Sequence, residues 1–154
     1  MNRPVGKTAV LGCVIIAAAV LTISSPGRDA ARRAINPPGT KEGAPFSNGL
    51  LVGNTLYVSG QEGLVDGKLK PGGIVPETQT ALDNIKKILE LAGMQMTEVV
   101  TVNVYLADMN DFVEMSNTYK TYFPEPRPAR TTVQVAELVN HARIEISVIA
   151  VKQH

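Results

Sequence analysis

Two short stretches near the C-terminal end carry side chains that could do chemistry together. One is Pro128-Ala129-Arg130-Thr131-Thr132-Val133-Gln134-Val135; the other is Ile144-Glu145-Ile146, with its glutamate fifteen residues after the arginine. Val133 and Val135 alternate with Thr132, Gln134 and Ala136, and Ile144, Ile146 and Val148 alternate with Glu145, Ser147 and Ile149. Period-2 patterning predicts strands whose successive side chains point to opposite faces. Arg130 and Thr132 then share one face of the first strand, and Glu145 points away from Ile144, Ile146 and Val148. A guanidinium is a planar fork matched to a carboxylate. A glutamate on the same side of its strand as Ile149 and Val151 is expected to be poorly solvated. We therefore assign Arg130 and Glu145 to a common face, an anion-binding arginine near a partly desolvated acid, suited to acid–base chemistry on a carboxylic acid. On composition alone, Arg130 also reads as a solvated strand-edge residue, and Glu145 as a structural partner of Arg143 or Lys152. Arg127 precedes Pro128 and reads as surface.

The elements that must position this pair are legible upstream. Leu50-Leu51-Val52, the turn Gly53-Asn54 and Thr55-Leu56-Tyr57-Val58-Ser59 predict a β-hairpin;. Residues 60–75 read as loop, with Asp66-Gly67 and Pro71-Gly72-Gly73 as turn signals;. A helix is predicted from Pro76 to Ala92. Ala81, Leu82, Ile85, Ile88, Leu89 and Ala92 form its apolar face, and Gly93 stands at its C′ position;. Val100, Val102, Val104 and Leu106 predict the next strand, and a second helix fits Asn110 to Tyr122 before Pro124. Each half reads as strands, a helix and a further strand, so an α+β sandwich with helices over one sheet face is expected. The other face would carry Ile149 and Val151, apolar surface that a second chain is expected to cover.

The 154 residues are 44% hydrophobic, which bounds the chain to one domain with one core;. Its net charge of +1 is uneven. Arg3, Lys7, Arg28, Arg32 and Arg33 face a single acid, Asp29, in residues 1–34, which leaves residues 35–154 at −3. A mildly acidic domain is a poor phosphate binder, so no nucleic-acid partner is expected. Arg3 and Lys7 precede an uncharged, mainly apolar run from Thr8 to Ile23, closed by Ser24, Ser25, Pro26 and Gly27. That describes a secretory signal peptide, cleaved near Ser24 or at Ala30-Ala31, and an exported protein. A retained membrane anchor over residues 8–23 is the rival, although the run is shorter than the roughly 20 residues a span needs. We divide the chain into 1–34, targeting segment plus linker, and 35–154, the domain. Cys13, the one cysteine, lies inside the apolar run, so the domain has no disulfide to form;. His141 and His154 are the only histidines and no paired-ligand spacing exists, so no metal is expected;. No Gly-x-Ser-x-Gly elbow supports a serine triad. Gly39, Gly43 and Gly49 read as turns, not a phosphate loop.

The two opening motifs, read with Leu56-Tyr57-Val58-Ser59-Gly60-Gln61, Thr80-Ala81-Leu82-Asp83-Asn84-Ile85, Asp108-Met109-Asn110-Asp111-Phe112 and Asn117-Thr118-Tyr119, resemble the RidA/YjgF family of small imine deaminases over residues 35–152;. The resemblance implies a chorismate-mutase-like α+β fold, a two-layer sandwich whose mixed sheet carries two helices on one face. It also implies a homotrimer with sites between subunits, and hydrolysis of 2-imino acids to 2-keto acids and ammonia without cofactor. In that reading Arg130 binds the substrate carboxylate and Glu145 positions or activates the attacking water. Ser59 and Gly60 match the family's pocket. Phe46 stands where the family has a tyrosine, Thr132 where it has a cysteine, and Ser116 where it has an asparagine. A binding module that holds a small carboxylate without turnover is the alternative. A ribonuclease is disfavoured by the acidic domain and the absence of a histidine pair.

Overall fold

The computed structural model describes residues 31–153. The apolar run 8–23, with its signal and anchor readings, and Cys13 lie outside those residues. Among the described residues no helix is long and apolar enough to cross a membrane.

Six strands form one mixed sheet: β1 (Arg32–Ile35), β2 (Gly49–Val52), β3 (Thr55–Glu62), β6 (Val99–Leu106), β7 (Ala129–Gln134) and β8 (Ile144–Val151), in the order β1-β2-β3-β8-β6-β7. Only the β6–β7 pair is parallel. A separate two-stranded ribbon joins β4 (Leu64–Val65) to β5 (Lys68–Leu69). Helices α1 (Ile74–Leu91) and α2 (Phe112–Lys120) supply the second layer. This is the expected α+β sandwich, with two helices over a six-stranded mixed sheet.

The core lies where the apolar stripes meet. Leu82, Ile85, Ile88 and Leu89 of α1 are fully buried, as are Leu56, Val102, Leu106, Ile144 and Ile146 from the sheet and Met115 from α2. Burying each such side chain contributes roughly 1.5–3 kcal/mol. Gly49 belongs to this core rather than to a turn. It sits in β2, and a Cβ there would meet Ile88 Cγ2 at 2.9 Å.

Three boundaries differ from the sequence reading. Arg32–Ile35 pairs antiparallel with Gly49–Val52, so residues 32–34 belong to the sheet and the boundary drawn at residue 35 falls inside β1. Residues 60–75 are not all loop: β3 runs on to Glu62, the β4–β5 ribbon follows, and α1 starts at Ile74. The second helix is shorter than expected, because Met109–Asp111 forms a 3-10 turn before α2 and Lys120 ends it. Gly93, at φ 72°, follows α1 in the left-handed conformation its position predicted;.

Candidate active site

The main correction concerns faces. Arg130 pairs with Val102 in the β6–β7 register, and Val102 points into the core under the helices. Arg130 and Thr132 therefore lie on the helix side of the sheet. Glu145 pairs with Tyr105, whose strand neighbours Val104 and Leu106 are the core-facing ones. Glu145 thus lies on the opposite side. Within one chain, the arginine and the glutamate assigned to a common face are separated by the sheet itself.

Each has surroundings of its own. On the helix side, α2 builds a cradle for Arg130. Its guanidinium carbon lies 4.7 Å from the ring centre of Tyr119 and 5.5 Å from that of Phe112. Its Nη2 donates to Ser116 Oγ at 3.2 Å, which fixes one edge of the fork. Ser116 is buried and Arg130 half-buried. Thr132 Oγ1 is buried with no hydrogen-bond partner. Burial pushes the Tyr119 hydroxyl above its ordinary range, and the charge of Arg130 pulls it partly back;. The tyrosine therefore stays neutral and offers Arg130 the face of its ring. Arg127, read as surface, is exposed and pairs with Glu125.

Glu145 lines a cavity of about 440 Å³, where Phe46, Ser59, Gly60, Glu62 and Asn140 meet and which Asn84 of α1 closes at one end. A bulge in β3 makes room for it. Val58 pairs with Val148 and Gln61 with Ile146, so Ser59 and Gly60 together oppose the single residue Ser147;. A Cβ at Gly60 would overlap the Glu145 carboxylate and push it aside. The bulge thus brings bare backbone against the glutamate's carboxylate. Ser59 Oγ donates to the Ser47 carbonyl at 2.7 Å, so its hydroxyl holds the segment that carries Phe46. Phe46 is 60% exposed and forms part of the cavity's rim. A larger groove of about 810 Å³ lies by Lys86, Gly93 and Tyr122. It contains neither Arg130 nor Glu145, and size alone does not make it the site.

Neither structural partner expected for Glu145 on composition is used. Arg143 instead forms a bidentate pair with Asp111, Nε to Oδ2 at 3.0 Å and Nη2 to Oδ1 at 2.7 Å. Its backbone N–H donates to Glu77 Oε2 at 2.9 Å. These bonds fix the turn before β8 and so the position of Glu145. His141 is exposed and pairs with Glu137. Among the described residues no cluster of metal-ligating side chains occurs.

Sequence reasoning missed Phe112, Tyr119, Glu62 and Asn140. The first two carried a signal, since they bracket Ser116 at helical spacing. Glu62 was obscured when residues 60–75 were read as loop. Asn140 reaches Glu62 from a left-handed turn at φ 58°, which spacing does not announce.

The fold, with Arg130 and Glu145 on opposite sides of its sheet, defines a class, and the comparisons give it a name. The family model described as Endoribonuclease L-PSP matches residues 39–152, and the chain belongs to that family, RidA/YjgF. A goat (Capra hircus) protein, 2-iminobutanoate/2-iminopropanoate deaminase, is 47% identical over 110 residues, 70% of this chain and 80% of its own length. The YjgF gene product of E. coli superposes with a TM-score of 0.73 at 31% identity, over 79% of this chain and 99% of that one. E. coli TdcF, solved with bound serine, gives 0.68 at 30% identity, over 79% and 94%.

Proposed function

We propose that this protein hydrolyses small 2-imino acids to 2-keto acids and ammonia, at sites assembled between the subunits of a homotrimer. The observation that carries this reading is the split itself. A carboxylate fork at Arg130 and a desolvating cavity at Glu145 are each half a site, and the sheet keeps them apart within one chain. The deaminase activity of relatives such as the goat protein supports the reaction. The half-exposed face bearing Tyr57, Ile149 and Val151 supports a neighbour.

In the assembled site, Arg130 of one subunit grips the substrate carboxylate with the edge of its fork that Ser116 leaves free. The imine carbon then lies over the Glu145 cavity of the next subunit. Glu145 takes a proton from water as the water oxygen bonds to the imine carbon, and the C=N π pair moves onto nitrogen. The nitrogen picks up a proton, the C–N bond breaks with its electrons leaving on ammonia, and the hydroxyl loses its proton to become the ketone. In sum, an iminium and water give a 2-keto acid and ammonium. No electron is transferred.

Subunit mixing tests the arrangement. Arg130→Ala and Glu145→Gln chains are each expected to be inactive. Refolded together in equal amounts, they should recover about a quarter of the wild-type rate, because random pairing places two intact halves at one interface in four. Recovery of nothing, with mixed oligomers confirmed by mass spectrometry, sinks the shared site.

We further propose export, on the basic start and the apolar run from Thr8 to Ile23;. Cleavage between Ser24 and Ala31 would leave β1 whole. Mass spectrometry of the protein from its native host is expected to show that loss. A full-length cytosolic chain refutes export, and full-length membrane-bound chain favours the anchor over residues 8–23.

A further inference from the structure

The Glu145 half-site holds a second carboxyl group that the mechanism above does not use. Glu62 and Glu145 are direct cross-strand partners on β3 and β8, so their side chains leave the same face of the sheet. Such pairs bring Cβ atoms to about 5 Å. Glu62 is only 9% exposed, and both residues line the same cavity. Its two oxygens differ. Oε2 accepts a hydrogen bond from Asn140 Nδ2 at 2.7 Å, whereas Oε1 is buried without a partner. An unpartnered buried carboxylate oxygen is costly, and two ionised carboxylates side by side are costlier. A proton on Oε1 removes the second cost outright, and the resulting O–H becomes a donor on the face that Glu145 shares.

We propose that Glu62 and Glu145 act as a carboxyl pair sharing one proton, held on Glu62, so that Glu145 is the single anion the cavity presents to substrate. This rests on the imine-hydrolase reading and deepens it. Glu62 is a positioning residue: it acts through Glu145, orienting that carboxylate and keeping the site from gathering a second charge. Once Glu62 ionises, the paired anions repel the substrate's own carboxylate and the site loses it.

The surroundings favour the neutral form. Burial pushes the Glu62 carboxyl above its ordinary range, the charges of Glu145 on β8 and Glu77 on α1 push it further, and only the Asn140 bond opposes them;. Arg143, two residues before Glu145, is committed to Asp111, and in the proposed trimer Arg130 of the next subunit faces Glu145 across the substrate rather than Glu62.

Two measurements on the full chain test the pair. The first is kcat/KM for freshly generated 2-iminopropanoate against pH, for wild type and Glu62→Gln, whose ratio cancels the substrate's own ionisation. Wild type is expected to lose activity by about tenfold or more on the alkaline side. Glu62→Gln, which cannot ionise, should lack that limb and stay within about threefold of wild type below it. An identical alkaline limb in both proteins overturns the proposal, and so does a loss independent of pH. If Glu62→Gln does not fold, Asn140→Gly serves, since glycine tolerates the left-handed turn. Removing the Asn140 bond should move the wild-type limb to higher pH, and an unmoved limb overturns the proposal.

The second measurement does not depend on activity. A carboxyl whose pKa is raised by folding binds its proton more tightly in the native state. Stability then falls as pH rises from the ordinary glutamate value, about 4.3, to the raised value, and is level above it. Glu62→Gln should lack this decline, so its melting temperature should gain on wild type by about 3 °C for each pH unit of that window. Parallel melting curves refute the pair even if the protein clears no imine. Conversely, a wild type that clears no imine while the melting curves diverge would refute the hydrolase reading and keep the pair.

Discussion

Glu145→Gln is expected to abolish imine hydrolysis while leaving product binding in place. The amide has nearly the shape of the carboxylate but cannot take a proton from water. General base catalysis by a positioned side chain contributes about 10²–10⁴-fold, so the variant's rate should approach that of buffer. Arg130 lies on the other face of the sheet and keeps its contacts to Ser116, Phe112 and Tyr119, so affinity for a 2-keto acid should change little. Decay of 2-iminopropanoate, followed beside pyruvate binding by calorimetry, reads both quantities. If wild type and Glu145→Gln clear the imine equally slowly and both bind pyruvate, the chain is a carboxylate-binding module. The wall residues give that reading its footing, because Phe46 offers a ring with no hydroxyl.

Arg130 is expected to fail in the opposite way. Its truncation leaves the substrate carboxylate unpaired, which costs roughly 2–5 kcal/mol for a desolvated charge pair and about 30-fold or more in affinity. Arg130→Ala should therefore lose product binding together with kcat/KM. Arg130→Lys keeps the charge but loses the planar fork, the hydrogen bond shared with Ser116 and the stacking on two rings. It should fall between wild type and alanine. Equal binding by wild type and Arg130→Ala would remove this arginine from the site.

The contrast between these residues shows what a sequence reveals and where it stops. The α1 stripe from Ala81 to Leu89 and the alternation of Val100 to Leu106 are local periodicities, and both elements lie close to where those periods place them. Period-2 alternation also states which residues of one strand share a side. Arg130 does share a side with Thr132, and Glu145 is opposite Ile144 and Ile146. It does not state how one strand's sides are phased against another's. That depends on register across the parallel β6–β7 crossover, which joins residues far apart in sequence. Polar residues on β7 suggested a side away from the core, yet Arg130 and Thr132 face the helix layer. They can do so because β7 is an edge strand and α2 is short, so this corner is a rim. Val133, on the opposite side of β7 from Arg130 and Thr132, is 40% exposed. Glu62 was hidden for a related reason: the bulge at Ser59-Gly60 resets the alternation, and no pattern in the sequence marks the reset.

The bidentate bond between Arg143 and Asp111 ties together parts of the chain with different tasks. Asp111 stands at the entrance to α2, the helix that cradles Arg130, while Arg143 immediately precedes the strand that carries Glu145. One guanidinium therefore spans the rim of the sheet like a rivet through two plates. A loosened rivet would misalign the surroundings of Arg130 and of Glu145 at once, and in the trimer proposed above each chain would serve two neighbours. A single disturbed chain would then spoil two catalytic centres out of three, without either centre losing any of the groups that touch substrate.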